Sequence, residues 1–343
     1  RILLNPCDME IISSPPEFGP AFRDVLYTFR TDIPEAMHEI EMLDPEGTTR
    51  QGLKRFTGER EFTVNAAPYL RSSAPIAPLP FRDSGLVVPE HRTLKSVVRA
   101  NGLQNSTVHT TGIAGPLYNA PLSGLSGTRV IGPDEQDEVS FIPDAGEISA
   151  RVVFGPGTDT PEEISLGALT LPDRNLVAAV VNMNHLAGLL HQRNRSVTEF
   201  DAFVLRVQNS GETVMEIPYR IRKGHGDGVR VCWWNRLGGI DAFTFDATRN
   251  VTLTRLRETE DGERYSRNCL KKTVTAVTAP LKKRQAEELA GLVAAAGVWI
   301  LDGTDYAAAE VRTDRCPVYD ERLRTLEFVF AYLSPVSFQN RRP

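Results

Sequence analysis

Two histidines bracket an apolar segment near the middle of the chain and are the first candidates for metal chemistry. His185 and His191 stand six positions apart in the run His-Leu-Ala-Gly-Leu-Leu-His. Helices that bind a metal through two histidines space them four apart, which puts both imidazoles on one face. A spacing of six places them on opposed faces of a helix. We therefore expect two ordinary polar residues rather than two ligands of one metal.

The glycine-rich and acidic segments show no catalytic pattern either. Gly224–Gly228 reads Gly-His-Gly-Asp-Gly, but no Lys-Ser/Thr follows, and a strand comes next, so a phosphate would face no helix N-terminus. The acidic runs Asp134–Glu138 and Glu258–Glu263 are typical of solvated loops. A pair of catalytic carboxylates distant in sequence stays open. We expect a protein that is not an enzyme and that has no cofactor and no metal site.

Composition places the chain among ordinary globular proteins. Its 343 residues are 41% hydrophobic and 24% charged, and the net charge of −5 gives no drive toward nucleic acid or an anionic membrane. Cys7, Cys232, Cys269 and Cys316 include no Cys-x-x-Cys pair, which favours free thiols in a reducing cytoplasm. The N-terminal run Arg1–Cys7 is too short in apolar residues for a signal peptide.

The first region, residues 1–72, has short apolar runs that recur between turn residues. Strands that recur at roughly 8–12 residues with such turns are typical of a small antiparallel β-sandwich. The predicted strands are Met9–Ile12, Val25–Phe29, Glu39–Leu43 and Arg60–Asn65.

The second region, residues 73–144, is rich in proline and glycine. Residues 72–80 hold too many prolines for a central strand, whereas Thr93–Arg99 predicts one. The stretch from there to Gly127 is predicted to be a long extended loop. Such a loop either contacts a neighbouring molecule or is a mobile insertion, and the sequence leaves both open.

Strand signals return in the third region, residues 145–257. Leu176–Leu190 is too long for one strand, so it is either a strand that runs into a short helix or two crossed strands. Arg220 and Arg222 are two positions apart and should therefore lie on the same face of a strand. That face either lines a groove or ring lumen or is simply solvated. The further predicted strands are Ile148–Phe154, Phe203–Val207, Ile217–Arg222 and Asn250–Leu256.

The most specific pattern is an aromatic hairpin within residues 229–245. Apolar and polar residues alternate up to an Asn-Arg-Leu-Gly-Gly turn and alternate again after it. We expect Gly238 or Gly239 to have a positive φ. Because neighbouring strand residues face opposite ways, one of Trp233 and Trp234 should be core and the other should contact another face or subunit. Phe243 and Phe245 lie on the second arm.

The fourth region, residues 258–343, reads as an α+β module with one helix. The predicted helix is Leu281–Ala296, started by Pro280 and ended by Gly297 as a C-cap. The last strand should place Phe328, Phe330 and Tyr332 on one face, and a strand that is apolar on both sides needs cover on both. The predicted strands are Lys272–Val277, Val298–Leu301 (with Trp299), Ala309–Thr313 and Leu326–Leu333.

This order of elements and its hairpin motif resemble a known group of proteins. An aromatic strand, the turn Asn-Arg-Leu-Gly-Gly and an acidic-aromatic strand resemble the hairpin of tail structural proteins, of the distal tail or baseplate type, from tailed phages of Bacteroidota and relatives. The C-terminal module is similar to the ring-forming domain of distal tail and tail tube proteins. The resemblance spans residues 145–335 well and the N-terminal sandwich loosely, and it leaves residues 73–92 without a counterpart.

The sequence therefore predicts a mainly β, multidomain protein of sandwich domains and one C-terminal α+β module. The resemblance implies a virion structural protein in a phage tail, made in the bacterial cytoplasm, that contacts other tail proteins and its own copies in a ring, for example a hexamer. Neither nucleic acid nor membrane is expected as a partner. Two alternatives stay open, namely a surface adhesin or carbohydrate-binding sandwich with tryptophan platforms, and a β-rich glycan hydrolase.

Overall fold

The computed structural model describes residues 9–71, 76–90, 92–115, 117–223, 228–258, 267–316 and 325–333. The protein is mainly β, and within the described residues its strands form five sheets in two compact units. The first unit comprises residues 1–76, 89–118 and 236–239, and the second comprises residues 77–88, 119–235 and 240–343.

The strands are numbered in chain order. They are β1 Met9–Ser13, β2 Gly19–Pro20, β3 Leu26–Thr31, β4 His38–Leu43, β5 Arg50–Phe56, β6 Glu61–Asn65, β7 Gly85–Val87, β8 Thr93–Ala100, β9 Leu103–Thr110, β10 Arg129–Ile131, β11 Gln136–Phe141, β12 Gly146–Phe154, β13 Glu162–Leu171, β14 Val177–Asn182, β15 Ala202–Asn209, β16 Glu212–Ile221, β17 Val229–Trp234, β18 Ile240–Phe245, β19 Ala247–Glu258, β20 Arg267–Val277, β21 Val298–Asp302, β22 Asp305–Val311 and β23 Glu327–Tyr332. The helices are α1 Ala67–Arg71, α2 Met183–His191 and α3 Lys283–Ala290, with 3₁₀ turns at Val197–Glu199 and Gly291–Ala294.

The first unit is built from two sheets around one core. Sheet β1-β3-β6 and sheet β2-β9-β8-β4-β5 share a buried cluster that includes Phe29, Ile40 and Phe62. The four strands predicted in residues 1–72 are present as β1, β3, β4 and β6. The prediction of a long loop after Thr93–Arg99 was wrong for β9, whose polar sequence Leu-Gln-Asn-Ser-Thr-Val-His-Thr hides the alternation that marks a strand.

Within the second unit, a five-stranded sheet and a three-stranded sheet enclose the largest core. The sheets are β10-β16-β15-β12-β13 and β11-β14-β7, and α2 packs its Leu186 and Leu190 into the same cluster. The ambiguous segment Leu176–Leu190 is a strand that runs directly into a helix. Asn182 makes that change of direction, since its side chain accepts hydrogen bonds from the amides of Asn184 and His185.

One acidic run predicted to be a solvated loop is a loop only at its start, where Asp134 is exposed in a turn. Residues 134–138 lead into β11, where Asp137 is 2% exposed and Glu138 is 4% exposed. The prediction failed because a charged residue is normally expected to be exposed unless it has a partner of opposite charge. The partner Arg230 of Asp137 lies far away in sequence and could not be identified from it.

The C-terminal sheet has seven strands in the order β18-β17-β21-β22-β23-β20-β19. It joins the aromatic hairpin and the final strands in one sheet, and the predicted segments 1–72, 73–144, 145–257 and 258–343 do not coincide with the two units. In particular, β19 and β20 pair antiparallel from Ala247↔Val277 to Glu258↔Arg267, across the predicted boundary at residue 257.

The helix over this sheet is shorter than predicted. Helix α3 ends at Ala290 and continues as a 3₁₀ turn to Ala294, so Gly297 is not its C-cap. None of the helices in the described part of the chain is long and apolar enough to cross a membrane.

Candidate assembly surface

The aromatic hairpin folds as predicted, with β17 and β18 paired from Val229↔Phe245 to Trp234↔Ile240. Trp233 is 2% exposed and belongs to the core, whereas Trp234 on the other face is half-buried. Gly238 has a φ of +90°, which confirms the expected positive φ in the turn.

Space, as well as backbone angle, requires a glycine at position 238. A Cβ atom there would lie 2.8 Å from the amide nitrogen of Gly112. Thr111 Oγ1 donates a hydrogen bond to the Gly238 carbonyl at 3.2 Å, and the amides of Ile113 and Ala114 donate to the carbonyl of Arg236 at 2.8 and 2.9 Å. The turn is thus fixed by backbone and side-chain contacts within the first unit. Gly239 beside it is buried.

One face of the seven-stranded sheet is covered by α3. Ala286 and Leu289 of the helix pack with Phe328, Phe330 and Tyr332 of β23, all of which are buried. Phe245 lies edge-on to the rings of Phe328 and Phe330, with centroids 5.5 and 5.6 Å apart. The predicted aromatic face of the last strand is therefore core.

Within the described residues, the opposite face of the same sheet is only partly covered. Where β21, β22 and β23 lie side by side, it carries Trp299, Leu301 and Val329, which are all half-buried. Leu333, just past β23, is 60% exposed. An antiparallel sheet can leave one face to water, but that face is then usually polar. Here it carries apolar side chains among polar ones such as Thr275, Glu310 and Glu327, and partly exposed apolar side chains of this kind favour contact with another molecule.

The same sheet has an open edge at β19. This outer strand pairs with β20, and within the described residues no strand pairs with its other side. Val251 is 50% exposed and Leu253 is 48% exposed. An outer strand presents unpaired N–H and C=O groups that can pair with another chain.

Near the hairpin, the second unit contains a fully buried cluster of ionic groups. Arg129 donates from Nη1 to Asp137 Oδ2 at 2.9 Å and from Nη2 to Asp241 Oδ1 at 3.4 Å. Arg230 Nη2 lies 3.0 Å from Asp137 Oδ1, and Tyr219 donates to Asp137 Oδ2 at 2.8 Å. The side chains of the two arginines and two aspartates are at most 2% exposed.

The two buried aspartates have opposite electrostatic surroundings. Burial raises the pKa of Asp137, but the guanidinium groups of Arg129 and Arg230 outweigh it and bring that pKa below its ordinary value. Burial also raises the pKa of Asp241, and there the single guanidinium of Arg129 does not compensate. Asp241 further accepts hydrogen bonds from the Ser123 hydroxyl and the Gly124 amide.

This cluster is placed to hold strands together rather than to carry out chemistry. Its charged groups are buried and paired by charge, and Arg230 also donates from Nε to the Gln136 carbonyl at 2.8 Å and from Nη1 to Thr244 Oγ1 at 2.9 Å. It thereby joins β10, β11, β17 and β18. The neighbouring Cys232 is 2% exposed, and burial raises the pKa of its thiol to about 12. Sequence reasoning missed the cluster because its members are scattered from position 129 to 241.

The other chemical candidates occupy separate places. His185 Nδ1 accepts a hydrogen bond from the Ser84 amide at 3.0 Å, while His191 is exposed at the end of α2. Arg220 is exposed on β16. Among the residues that the structure describes, no group of three or more His, Cys, Asp or Glu is arranged to hold a metal ion. Residues 224–227 and 259–263, which carry the glycine-rich loop and most of the second acidic run, lie outside the described residues.

No protein-family model matches the chain, and no curated protein matches it. Among solved structures, the chain is similar to the crystal structure of trypsin-activated alpha-2-macroglobulin from Escherichia coli, at 8% sequence identity and a TM-score of 0.20. The match covers 94% of this chain but 21% of that one, so the chain spans about a fifth of that protein's length. A likeness at this level supports no statement on fold or function.

Proposed function

We propose that this protein is a non-enzymatic structural component of a phage tail, of the distal tail or baseplate type, that assembles with copies of itself around the tail axis. The observation that carries the assembly part of the proposal is the group of partly exposed apolar side chains Leu301, Val329 and Leu333 on the face of the sheet opposite α3. The assignment to a tail rests on the resemblance of the hairpin motif and of the C-terminal module.

The argument for assembly is that α3 covers only one face of the C-terminal sheet. Helix α3 lies on the face that holds Phe328 and Phe330, so it cannot also cover Val329 and Leu333 on the reverse side. Exposed apolar groups that adjoin one another favour association, because burying them releases about 25 cal/mol for each Å² removed from water. The open edge of β19 offers backbone hydrogen bonds in addition.

The argument against catalysis is one of access. In the described residues, the cluster around Asp137 brings several ionisable groups together, but the side chains of Arg129, Asp137 and Arg230 are buried and paired. A general acid or base has to reach a substrate proton directly or through one water molecule. This cluster is better suited to holding β10, β11, β17 and β18 together.

The test is the oligomeric state of the purified chain over a range of concentrations. We expect light scattering and native mass spectrometry to show a closed oligomer, and negative-stain microscopy to show rings. Leu333→Lys and Val329→Lys should each shift the protein toward monomer, because a charged side chain resists transfer into an apolar interface. Leu26→Lys is the matched control, since Leu26 is 44% exposed on β3 of the first unit.

The assembly proposal is wrong if the chain stays monomeric at every concentration, or if Leu26→Lys dissociates the oligomer as much as Leu333→Lys does. The tail assignment has its own test. Antibodies against the purified chain should label the tail end of virions that carry it, and labelling of the capsid or of no part of the virion would contradict the assignment.

A further inference from the structure

A cleft in the second unit lies beside the C-terminal sheet, and its lining includes Trp299 but none of Leu301, Val329 and Leu333. The cleft has a volume of about 550 Å³. Its lining includes Pro80 and Phe81 from the proline-rich segment. It also includes the aromatic rings of Trp299 and Tyr306 on the sheet and the polar side chains of Thr304 and Asp305. Ligand-binding clefts are mostly apolar, with a few polar groups that fix orientation, and have volumes of roughly 300–1,000 Å³.

The proline-rich wall of this cleft is held in place by buried side chains. Glu138 accepts a hydrogen bond from the Leu79 amide at 2.7 Å, and Gln136 accepts one from the Arg82 amide at 2.9 Å. The amide nitrogen of Gln136 also donates to the carbonyls of Leu79 and Pro80, both at 3.3 Å. Gln136 is 1% exposed and Glu138 is 4% exposed, so the wall is anchored to β11. A ligand would therefore meet a preformed surface, which limits the ordering cost of binding.

The opposite wall is aromatic, and packing against Gly297 fixes the position of the Trp299 ring. A Cβ atom at Gly297 would lie 2.5 Å from Cη2 of Trp299 and 3.2 Å from both Cζ2 and Cζ3. The six-membered ring of the indole thus occupies the space that a side chain at position 297 would fill. Trp299 remains half-buried, with part of the ring open to the cleft. Glycine at position 297 is explained by this packing rather than by a helix cap.

We infer that this cleft binds one or two pyranose rings of a neutral saccharide, stacked on Trp299 and oriented by Asp305 and Thr304. A pyranose has an apolar face of C–H groups and an equatorial belt of hydroxyls. The first matches an indole ring, and the second matches a carboxylate that can accept two hydrogen bonds. Asp305 and Thr304 are both exposed at the mouth, where they can reach hydroxyls without being buried first. The inference goes beyond the proposed function, since a tail protein can be complete without any ligand.

The charge and shape of the cleft favour this ligand over other classes. Asp305 disfavours phosphorylated and other anionic ligands by like-charge repulsion. The mouth is open rather than enclosed, which suits a residue inside a longer glycan as well as a free sugar. A cation could also be attracted by Trp299, Tyr306 and Asp305, so a cationic probe belongs in the test.

The experiment is saturation-transfer NMR and calorimetry on the whole chain, with methyl glycosides of glucose, galactose, mannose and N-acetylglucosamine and with their β-linked disaccharides. We expect at least one of these probes to bind saturably and to quench tryptophan fluorescence. Trp299→Ala and Asp305→Ala should each weaken binding by about tenfold or more, the equivalent of one lost stacking or charged hydrogen-bond contact. Trp299→Phe should recover part of the affinity, because it restores an aromatic face.

Asp159→Ala is the matched control, because Asp159 is an exposed aspartate of the same unit outside the cleft. It should bind as the unaltered chain does. Circular dichroism identifies any variant that fails to fold, and Asp305→Ala alters only an exposed side chain. The inference is overturned if no saccharide in the panel binds saturably, if both cleft variants bind as well as Asp159→Ala, or if choline and N-acetyl-lysine methylamide bind while the saccharides do not.

Discussion

The Nη1 atom of Arg129 lies 2.9 Å from Oδ2 of Asp137, and the side chains of both residues are at most 2% exposed. Asp137 also faces Arg230, so this carboxylate is a counter-ion of two buried guanidinium groups. Removing its charge is costly, because both guanidinium groups stay buried and keep only the longer carboxylate contacts, with Asp241 at 3.4 Å and with Glu135 at 3.3 Å.

Asp137→Asn should therefore destabilise the protein by about 3–5 kcal/mol, as measured by urea unfolding at pH 7. Asp241→Asn is its matched control, since Asp241 is equally buried and also contacts Arg129. Because burial raises the pKa of Asp241, its ionised form at pH 7 costs folding free energy, and asparagine removes that cost. A loss for Asp241→Asn that equals or exceeds the loss for Asp137→Asn would contradict this account.

The carboxylate of Asp44, in the turn between β4 and β5, should make the stability of the fold depend on pH. Its carboxylate accepts hydrogen bonds from the amides of Thr48 at 2.7 Å and Thr49 at 3.0 Å, and the first of these is the main cause that lowers its pKa to about 2. A lowered pKa stabilises the fold above the ordinary value near 3.8, and the contribution is lost as the pH falls through the lower value.

The melting temperature of Asp44→Ala should accordingly lie below that of the unaltered chain by a constant amount above about pH 5. The difference should shrink as the pH falls from about 4 toward 2. Asp159→Ala controls for the loss of one exposed carboxylate. A gap that widens in acid would show that the sign is wrong.

The turn of the aromatic hairpin allows backbone strain to be separated from crowding. Gly238 has a φ of +90° and Gly157 has a φ of +87°, but only at Gly238 would a Cβ atom meet another group. Gly157→Ala should lower the free energy of unfolding by about 1 kcal/mol or more through the backbone alone. Gly238→Ala should cost clearly more, because the backbone of Gly112 must also move. Equal losses in chemical unfolding would mean that crowding contributes nothing.

The two adjacent tryptophans of β17 should differ in the same way. Trp233→Ala removes a ring that is 2% exposed and should cost about 3–5 kcal/mol in the free energy of unfolding. Trp234→Ala removes a half-buried ring and should cost less. The comparison is a denaturant titration of both variants, and a reversed order would contradict the assignment of Trp233 to the core.

Cys232 should be protected from alkylation in the folded protein. The thiolate is the reactive form, and burial raises the pKa of Cys232 to about 12, so little thiolate forms at pH 8. Peptide mapping after iodoacetamide treatment should show Cys232 unmodified in native buffer and modified in guanidinium chloride. Modification at the same rate in both conditions would show that the thiol is accessible.

Two local patterns were sufficient to predict many of the strands. Period-two alternation predicted the arms of the aromatic hairpin, because it follows directly from the strand backbone, and apolar runs between turn residues predicted β1, β3, β4 and β6. The change from β14 to α2 was also among the predicted alternatives, and Asn182 makes it through its capping hydrogen bonds.

What the sequence could not show depends on pairing between distant residues. β11 is buried although it contains Asp137 and Glu138, and its position is understandable only once Arg129, Arg230 and the wall at Leu79 are known to contact it. The cleft was missed for the same reason. Prolines marked residues 72–80 as irregular, but nothing in the sequence placed Phe81 near Trp299.

The contacts of Arg236 and Gly238 with residues 111–114 also affect when the first unit can finish folding during synthesis. A nascent chain leaves the ribosome from its N-terminus, and domains generally fold as they emerge. Here the first unit lacks its last four residues until the segment up to Gly239 has been synthesised, well after strands β10 to β17 of the second unit. During translation, the first unit can therefore complete its contacts only after more than a hundred further codons beyond residue 118 have been translated.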